Sequence, residues 1–232
     1  MESLKIFEEQ LSREEKHLMD SLDSPYKIQA FLDGLVYPAG EANRAVIEVL
    51  RQRQAHCLDG GLFAAAALLR LGMPAVILDM QPQPGRDDDH VLALYRLDGC
   101  WGALAKSNFS GLRFREALYR TTRELVLSYF EDFFNLHGQK TLRSYSRPIN
   151  LKRFDRLRWL TEARGVDAIE RYLKTVRLAP LISDAQAARL APVDRRSFAA
   201  GTLGLNPDGA FQPEEPSATK AAGPGRNHRR VH

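Results

Sequence analysis

The sequence predicts an α+β fold, in which a small, mainly antiparallel sheet packs on one central helix and further helices lie at both ends. The helix is predicted to start near Cys57 and to contain the alanine-rich segment 62–71, which Gly72 ends. The apolar runs 75–78 and 90–96 have the length and composition of strands. Asp98-Gly99 directly after the second run favours a tight hairpin into a third strand, so at least part of the sheet is antiparallel.

Three helices are predicted before the alanine-rich segment. The first covers residues 2–22, because its apolar residues recur at helical spacing. Ser24 followed by Pro25 predicts the N-cap and first turn of a second helix, and 41–53 is a third helical stretch. The apolar residues of the first helix are Leu4, Phe7, Leu11, Leu18 and Leu22.

Further helices are predicted after the strands. Residues 120–136 carry a wide aromatic stripe, which we expect to pack in the core. Residues 155–176 are a second helical stretch with an interruption near Gly165, and 183–190 a short third one. The aromatic and apolar stripe consists of Leu125, Val126, Tyr129, Phe130, Phe133 and Phe134.

The 232 residues are enough for one domain with extensions. We expect an N-terminal helical extension over 1–23, a core over 24–151 and a C-terminal helical extension over 152–205. Residues 206–232 are rich in Pro, Gly, Ser, Ala and charged residues, which predicts a disordered tail.

The composition is that of a soluble globular protein, with 44% hydrophobic residues, a net charge of +4 and a pI of about 9.1. No apolar stretch approaches the ~20 residues of a membrane span, and the acidic N-terminus lacks signal-peptide features. Two cysteines, Cys57 and Cys100, indicate a reducing compartment and favour the cytoplasm, although a bond between them stays open. No cofactor is expected.

Residues 139–158 form the most basic stretch of the chain. Seven cations against Asp155 alone give it a net charge of 7 − 1 = +6. The stretch is either a solvated surface or the contact for an anionic partner such as phosphate, nucleic acid or an acidic protein. The cations are Lys140, Arg143, Arg147, Lys152, Arg153, Arg156 and Arg158.

Cys57 is the first candidate for chemistry. It stands at the predicted start of the alanine-rich helix, where free backbone N–H groups and the helix dipole favour the reactive thiolate. The alternative is a small buried apolar residue. Gly60 and Gly61, which are unfavourable inside a helix, predict a close approach of this helix to the sheet.

His90 is the best partner for Cys57 among the six histidines, because it opens the second strand, 33 residues further on. Nearby carboxylates such as Asp89 would raise the pKa of His90 and favour an imidazolium paired with a thiolate. The alternative is a structural histidine. A metal site built from Asp87, Asp88, Asp89 and His90 lacks further ligands at workable spacing, so no metal is expected.

These segments resemble the core of the transglutaminase-like superfamily of papain-fold cysteine enzymes. The similarity rests on Cys57 with its helix, on Leu71-Gly72-Met73-Pro74-Ala75 entering a strand, and on Asp89-His90-Val91. Trp101-Gly102-Ala103-Leu104-Ala105 matches the next strand. Residues 27–151 also resemble bacterial proteins assigned to that superfamily. The resemblance implies a papain-like fold and a site formed by Cys57, His90 and an aspartate.

The third position departs from that pattern. Where the family places its aspartate, this chain has Ala105 and Lys106. Asn108 is the expected substitute, as asparagine orients the imidazole in papain-like sites, and Ser107 is the alternative.

Supporting roles in such a site fall to residues around the cysteine and on the third strand. A second oxyanion donor beside the Cys57 N–H is expected from Gln54 or Gln52. Trp101 is the expected support on the next strand, and Leu92 stands where the family has an aromatic residue.

Two functions follow as hypotheses. The first is a cysteine acyl-transfer enzyme that hydrolyses or transamidates a peptide or small amide, with Cys57 as nucleophile, His90 as acid and base, and Asn108 orienting His90. The second is a catalytically silent binding or scaffolding protein of the same fold, with the basic stretch facing an anionic partner.

Overall fold

The computed structural model describes residues 2–40 and 42–213, which form an α+β fold. The helices are α1 Glu2–Gln10, α2 Arg13–Ser21, α3 Pro25–Asp33, α4 Val46–Gln52, α5 Cys57–Arg70, α6 Thr122–Leu127, α7 Ala163–Leu173, α8 Asp184–Ala187 and α9 Arg195–Gly201. The strands are β1 Val76–Pro82, β2 His90–Leu97, β3 Cys100–Leu104, β4 Arg115–Tyr119, β5 Leu142–Ser146, β6 Ile149–Asn150 and β7 Leu178–Pro180. Short 3₁₀ helices cover Leu151–Leu157 and Pro207–Gly209.

The strands form one small antiparallel sheet in the order β4-β3-β2-β1-β5-β7, with β6 beside β1. The predicted hairpin joins β2 and β3, and both of its turn residues, Asp98 and Gly99, have positive φ. Such angles match the twist of the flanking strands, which is why this dipeptide predicts a hairpin. The α+β class and the antiparallel sheet are therefore confirmed.

Helix α5 packs against one face of the sheet at short range. A Cβ atom added to Gly60 would lie 2.3 Å from Lys106 Cβ, and one added to Gly61 would lie 3.0 Å from Val91 Cγ1. The predicted close approach is thus confirmed, since no larger residue fits at position 60 without displacing a neighbour.

The two faces of the sheet belong to different hydrophobic clusters. Val91 and Ala93 of β2 pack in the cluster that contains α5, whereas Leu92 and Leu94 pack in the cluster that contains α6. This alternation follows from the two-residue period of a strand. It decides which side chains of β2 can face the start of α5.

Five predicted helices are divided or shortened, namely 2–22, 41–53, 120–136, 155–176 and 183–190. The segment 2–22 is two helices, because Ser12 caps a new one and forms a capping box with Glu15. Helix α6 ends at Leu127, and the residues after it form turns instead of the expected long helix. The aromatic side chains Tyr129, Phe133 and Phe134 are nevertheless buried, as expected for core residues.

Both ends of the described chain are built into this fold. Phe7 and Met19 are buried in the cluster that contains α5. At the other end, Asn206 forms side-chain and backbone hydrogen bonds, so residues 206–213 are placed where a disordered tail was expected. The rest of that predicted tail, 214–232, lies outside the described residues.

No helix within 2–40 and 42–213 has both the length and the apolar character needed to span a bilayer.

Candidate functional site

Cys57 is the first residue of α5, as expected, with His56 in extended conformation as its N-cap. The thiol is half-buried, and its Sγ lies 3.7 Å from the backbone oxygen of Asp89, to which it donates. The start of the helix is fixed by the fully buried Asp59, whose carboxylate accepts from the backbone N–H groups of Arg44 and His56. The predicted position of the cysteine is confirmed, and Asp59 is an addition that no sequence pattern had indicated.

The surroundings of Cys57 oppose the thiolate. Burial raises the pKa of the thiol well above its usual range, and the negative charge of Asp89 adds to the increase. The backbone N–H of Val91 acts in the opposite direction, but it does not compensate. The predicted effect of the helix N-terminus is therefore outweighed, and Cys57 is a neutral thiol at pH 7.

His90 lies on the face of the sheet away from α5. It pairs with Met80 of β1, whose side chain belongs to the opposite cluster, and its ring packs edge-on against Phe133 at 6.5 Å between centroids. The ring Nε2 donates to the backbone oxygen of Leu112 over 2.7 Å. Only 4% of His90 is exposed.

This environment keeps His90 neutral. Burial lowers the pKa of the imidazole to about 4, and the positive charge of Arg115 contributes in the same direction. The hydrogen bond to Leu112 raises the pKa but is outweighed. The imidazolium expected from the neighbouring aspartates is therefore not formed at neutral pH.

Cys57 and His90 thus face opposite sides of one sheet, and the hydrogen bonds of the described residues join each to a backbone oxygen rather than to the other. The side chain that lies with Cys57 on the α5 side of the sheet is that of the largely exposed Asp89. Gln81 Nε2 donates to Asp89 Oδ2 over 3.3 Å and to the buried Asp79 over 2.7 Å. The proton-transfer role of His90 stays a prediction that this geometry does not favour.

Asn108 and Ser107 lie near His90 but bond elsewhere. Asn108 forms two hydrogen bonds of 2.8 Å with the backbone of Asn206, and Ser107 Oγ accepts from the N–H of Phe109. Both line a small cavity of about 40 Å³ together with His90. The structure therefore gives Asn108 a partner other than the imidazole.

The expected supporting residues are dispersed. Gln52 accepts from Arg44 Nε over 3.1 Å, and Gln54 forms a backbone bridge with Val36. Trp101 lies on β3 under the guanidinium of Arg96, which is 4.9 Å from the ring centroid.

The side chain beside the Cys57 N–H is Tyr37, which no sequence pattern had indicated. Burial raises the pKa of Tyr37, and the backbone N–H of Cys57 partly offsets that increase by favouring the phenolate oxygen. The tyrosine ring packs edge-on against His56 at 5.4 Å. Because Tyr37 lies in the loop after α3, only the tertiary structure brings it to the start of α5.

A second candidate site is the groove lined by residues from β6, the following 3₁₀ helix and the end of α7, which we call the basic groove. Its volume is about 710 Å³. Four cations line it, and within the described residues none of them forms an ion pair. The cations are Arg147, Lys152, Arg153 and Arg177.

The basic groove contains only part of the predicted basic stretch. Lys140 and Arg158 of that stretch form ion pairs with Glu131 and Glu162. Arg177 comes from outside the stretch, because the segment between α7 and β7 lies beside β6.

Arg153 is held in place by an aromatic side chain. Its guanidinium stacks on Tyr172 at 4.1 Å from the ring centroid and donates to the tyrosine hydroxyl. The stack limits the conformations of a long side chain without neutralising its charge. Arg153 therefore presents a fixed positive charge to the groove.

No group of three or more His, Cys, Asp or Glu side chains in 2–40 and 42–213 is arranged to hold a metal ion. Comparison of the sequence with models of known protein families and with curated proteins finds no match.

Proposed function

We propose that this protein is a non-catalytic binding module, in which a transglutaminase-like architecture serves as a scaffold and the basic groove holds an anionic partner. The observation that carries the proposal is the set of four exposed cations around one groove, without ion-pair partners among the described residues. Like charges that converge in this way repel one another unless an anion lies between them.

The Cys57 region supports a non-catalytic function. A nucleophilic cysteine needs a thiolate and a base within hydrogen-bond reach. Here the pKa of Cys57 is raised, and His90 is neutral on the other face of the sheet. Both conditions for acyl transfer are therefore missing in this conformation.

The lining of the basic groove indicates the chemistry of the partner. Three of the four cations are arginines, whose planar forks bind phosphate or carboxylate oxygens through paired hydrogen bonds. Pro148, Ile149 and Val176 add an apolar surface between the charges. The groove therefore fits a chain that carries several anionic groups rather than a single small ion.

The test compares two double variants, one that removes two arginines inside the groove and one that removes two arginines outside it. We expect Arg147→Ala combined with Arg177→Ala to weaken binding of a fluorescent single-stranded oligonucleotide or a poly-glutamate peptide at least about tenfold. On the oligonucleotide, the slope of log K against log salt should fall by about 0.7 for each phosphate that the variant no longer neutralises. Fluorescence anisotropy over a salt series measures both quantities.

The matched control is Arg120→Ala combined with Arg156→Ala, which removes the same net charge at exposed positions outside the groove. It should change the affinity less than about twofold. Equal weakening by both pairs would show that bulk charge alone drives binding. If neither probe binds at low ionic strength, the proposed function is wrong.

A further inference from the structure

Residues 206–211, which we call the strap, pack against Tyr37 and line the cavity that contains His90. The strap contains the 3₁₀ turn Pro207–Gly209 and follows helix α9. Pro207 and Asp208 are exposed, whereas Gly209, Ala210 and Phe211 are half-buried against the rest of the molecule. The strap is thus a surface segment with one side turned inward.

One end of the strap is fixed by asparagines. Asn108 Nδ2 donates to the backbone oxygen of Asn206, and the backbone N–H of Asn206 donates back to Asn108 Oδ1, both over 2.8 Å. The Asn206 side chain in turn donates to the backbone oxygen of Tyr37 over 2.8 Å. These three bonds join the strap to the β3 end and to the loop after α3.

The middle of the strap packs closely against Tyr37. A Cβ atom added to Gly209 would lie 2.7 Å from the backbone oxygen of Pro38 and 3.0 Å from Tyr37 Cδ1. Any larger residue would therefore push the strap and the tyrosine apart. The strap holds Tyr37 both through its backbone and through its ring.

Tyr37 transmits this contact to the start of α5. Its ring lies edge-on to His56, the N-cap residue, and its hydroxyl lies next to the backbone N–H of Cys57. A free N–H at the first turn of a helix would otherwise be open to a ligand oxygen. With the strap in place, Tyr37 occupies that position.

The other side of the strap closes the space in front of His90. Gly209, Ala210 and Phe211 line the cavity of about 40 Å³ that also contains His90 and Asp87. So small a volume holds little more than one water molecule. The strap therefore lines the cavity on the His90 side directly and reaches the Cys57 side through Tyr37.

We propose that the strap is a releasable latch, which in the closed state limits access to Cys57 by holding Tyr37 over the start of α5. Few bonds hold it, and its outer residues are in solvent, so it can open without unfolding the core. Opening frees Tyr37, the Cys57 N–H and the cavity of His90 together. This inference does not depend on the function of the basic groove.

The test measures how fast the Cys57 thiol reacts in the full chain, in a Cys100→Ser background. We expect Asn108→Ala combined with Asn206→Ala to speed alkylation by iodoacetamide at least about tenfold, because both variants remove side-chain bonds that close the latch. Gly209→Ala should have the same effect by a steric route. Peptide mass spectrometry after timed quenching gives the rate at Cys57.

Ser183→Ala is the matched control, because it removes the N-cap of α8 in the same C-terminal extension without touching Tyr37. It should leave the Cys57 rate within about twofold of the parent. Unfolding temperatures by circular dichroism separate local opening from global loss of structure. If both strap variants stay folded and react at the rate of the parent, the strap is not a latch. The latch proposal is also wrong if the Cys57 alkylation rates of the variants increase only in proportion to the fall in their unfolding temperatures.

Discussion

At the scale of single residues, one position along β2 decides the chemistry around Cys57. Successive side chains of a strand point to opposite faces, so His90 and Asp89 cannot both face α5. The structure places the carboxylate of Asp89, the residue directly before β2, near Cys57 and the imidazole of His90 on the other face. A carboxylate next to a thiol suppresses its ionisation, which is the reverse of what an activating base does.

The pH dependence of Cys57 alkylation follows from this arrangement. The reaction rate tracks the thiolate fraction, and burial with Asp89 raises the pKa of the thiol, so the rate should still rise steeply between pH ~9 and ~10, where that of a free cysteine levels off. A free cysteine of pKa ~8.5 would already be about 3% ionised at pH 7. The measurement is the rate of iodoacetamide alkylation of the Cys100→Ser protein between pH ~6 and ~10. The rate of free cysteine over the same range is the reference.

The same titration separates the two hypotheses drawn from the sequence. An inflection below the value of free cysteine would mean that the thiol is activated, and cysteine acyl transfer would then be the better proposal. Asp89→Asn removes the nearest negative charge and should shift the inflection to lower pH. No shift would mean that the charge of Asp89 does not contribute to the raised pKa of Cys57.

At the scale of elements, the close packing between α5 and the sheet depends on residues without side chains. Gly60 lies against Lys106, a buried lysine whose Nζ donates to the backbone oxygens of Leu32 and Leu35 at the end of α3. Lys106 thereby adds a donor to the Leu32 carbonyl in the last turn of α3 and to the Leu35 carbonyl in the loop after it. Helices α3 and α5 and the end of β3 are therefore locked together at this lysine.

Gly60→Ala should lower the free energy of unfolding by about 2 kcal/mol. The new Cβ atom would lie 2.3 Å from Lys106 Cβ, which belongs to the base of that side chain and cannot swing away. Overpacking of this kind costs more than the ~1 kcal/mol that alanine gains over glycine within a helix. Urea unfolding followed by circular dichroism measures the difference.

Gly34→Ala provides the comparison for that experiment. At Gly34 the backbone is right-handed, with φ of −76°, and an added Cβ would lie 3.5 Å from the nearest atom, at ordinary contact distance. We expect this variant to be neutral or stabilised by up to about 1 kcal/mol. If Gly60→Ala behaves in the same way, α5 does not need its glycines for close packing.

At the scale of the whole molecule, the expected N-terminal extension is part of the main core. Phe7 of α1 is fully buried in the cluster that contains α5. Asp155, in the 3₁₀ helix after β6, accepts hydrogen bonds from the backbone of Glu2 and from Ser3. Residues far apart in the chain are thus joined, which favours cooperative unfolding.

Phe7→Ala should destabilise the entire protein by about 3–5 kcal/mol, as expected for removal of a fully buried aromatic ring. Fluorescence of the buried Trp159 and far-ultraviolet circular dichroism should give the same midpoint in urea, because one core is disrupted. The exposed Lys5→Ala on the same helix is the control and should change stability by less than ~0.5 kcal/mol. Separate midpoints for the two signals would show that α1 and α2 unfold independently.

The sequence by itself determined the features that depend on neighbouring residues. Caps, turns and helix propensity act over a few residues, so these features could be predicted. They are the Ser24-Pro25 start of α3, Cys57 at the start of α5, the Asp98-Gly99 hairpin and the close approach of α5 at Gly60. The α+β class followed from them.

Only the tertiary structure decided how the candidate residues meet. The face on which His90 lies depends on which side of the sheet α5 packs, and that choice is made between elements rather than within one. The same holds for Asn108, whose partner Asn206 is 98 residues away, and for Arg177, which joins the basic groove from the segment between α7 and β7. Interactions between distant segments leave no local pattern in the sequence, because their energy comes from packing and charge in the folded state.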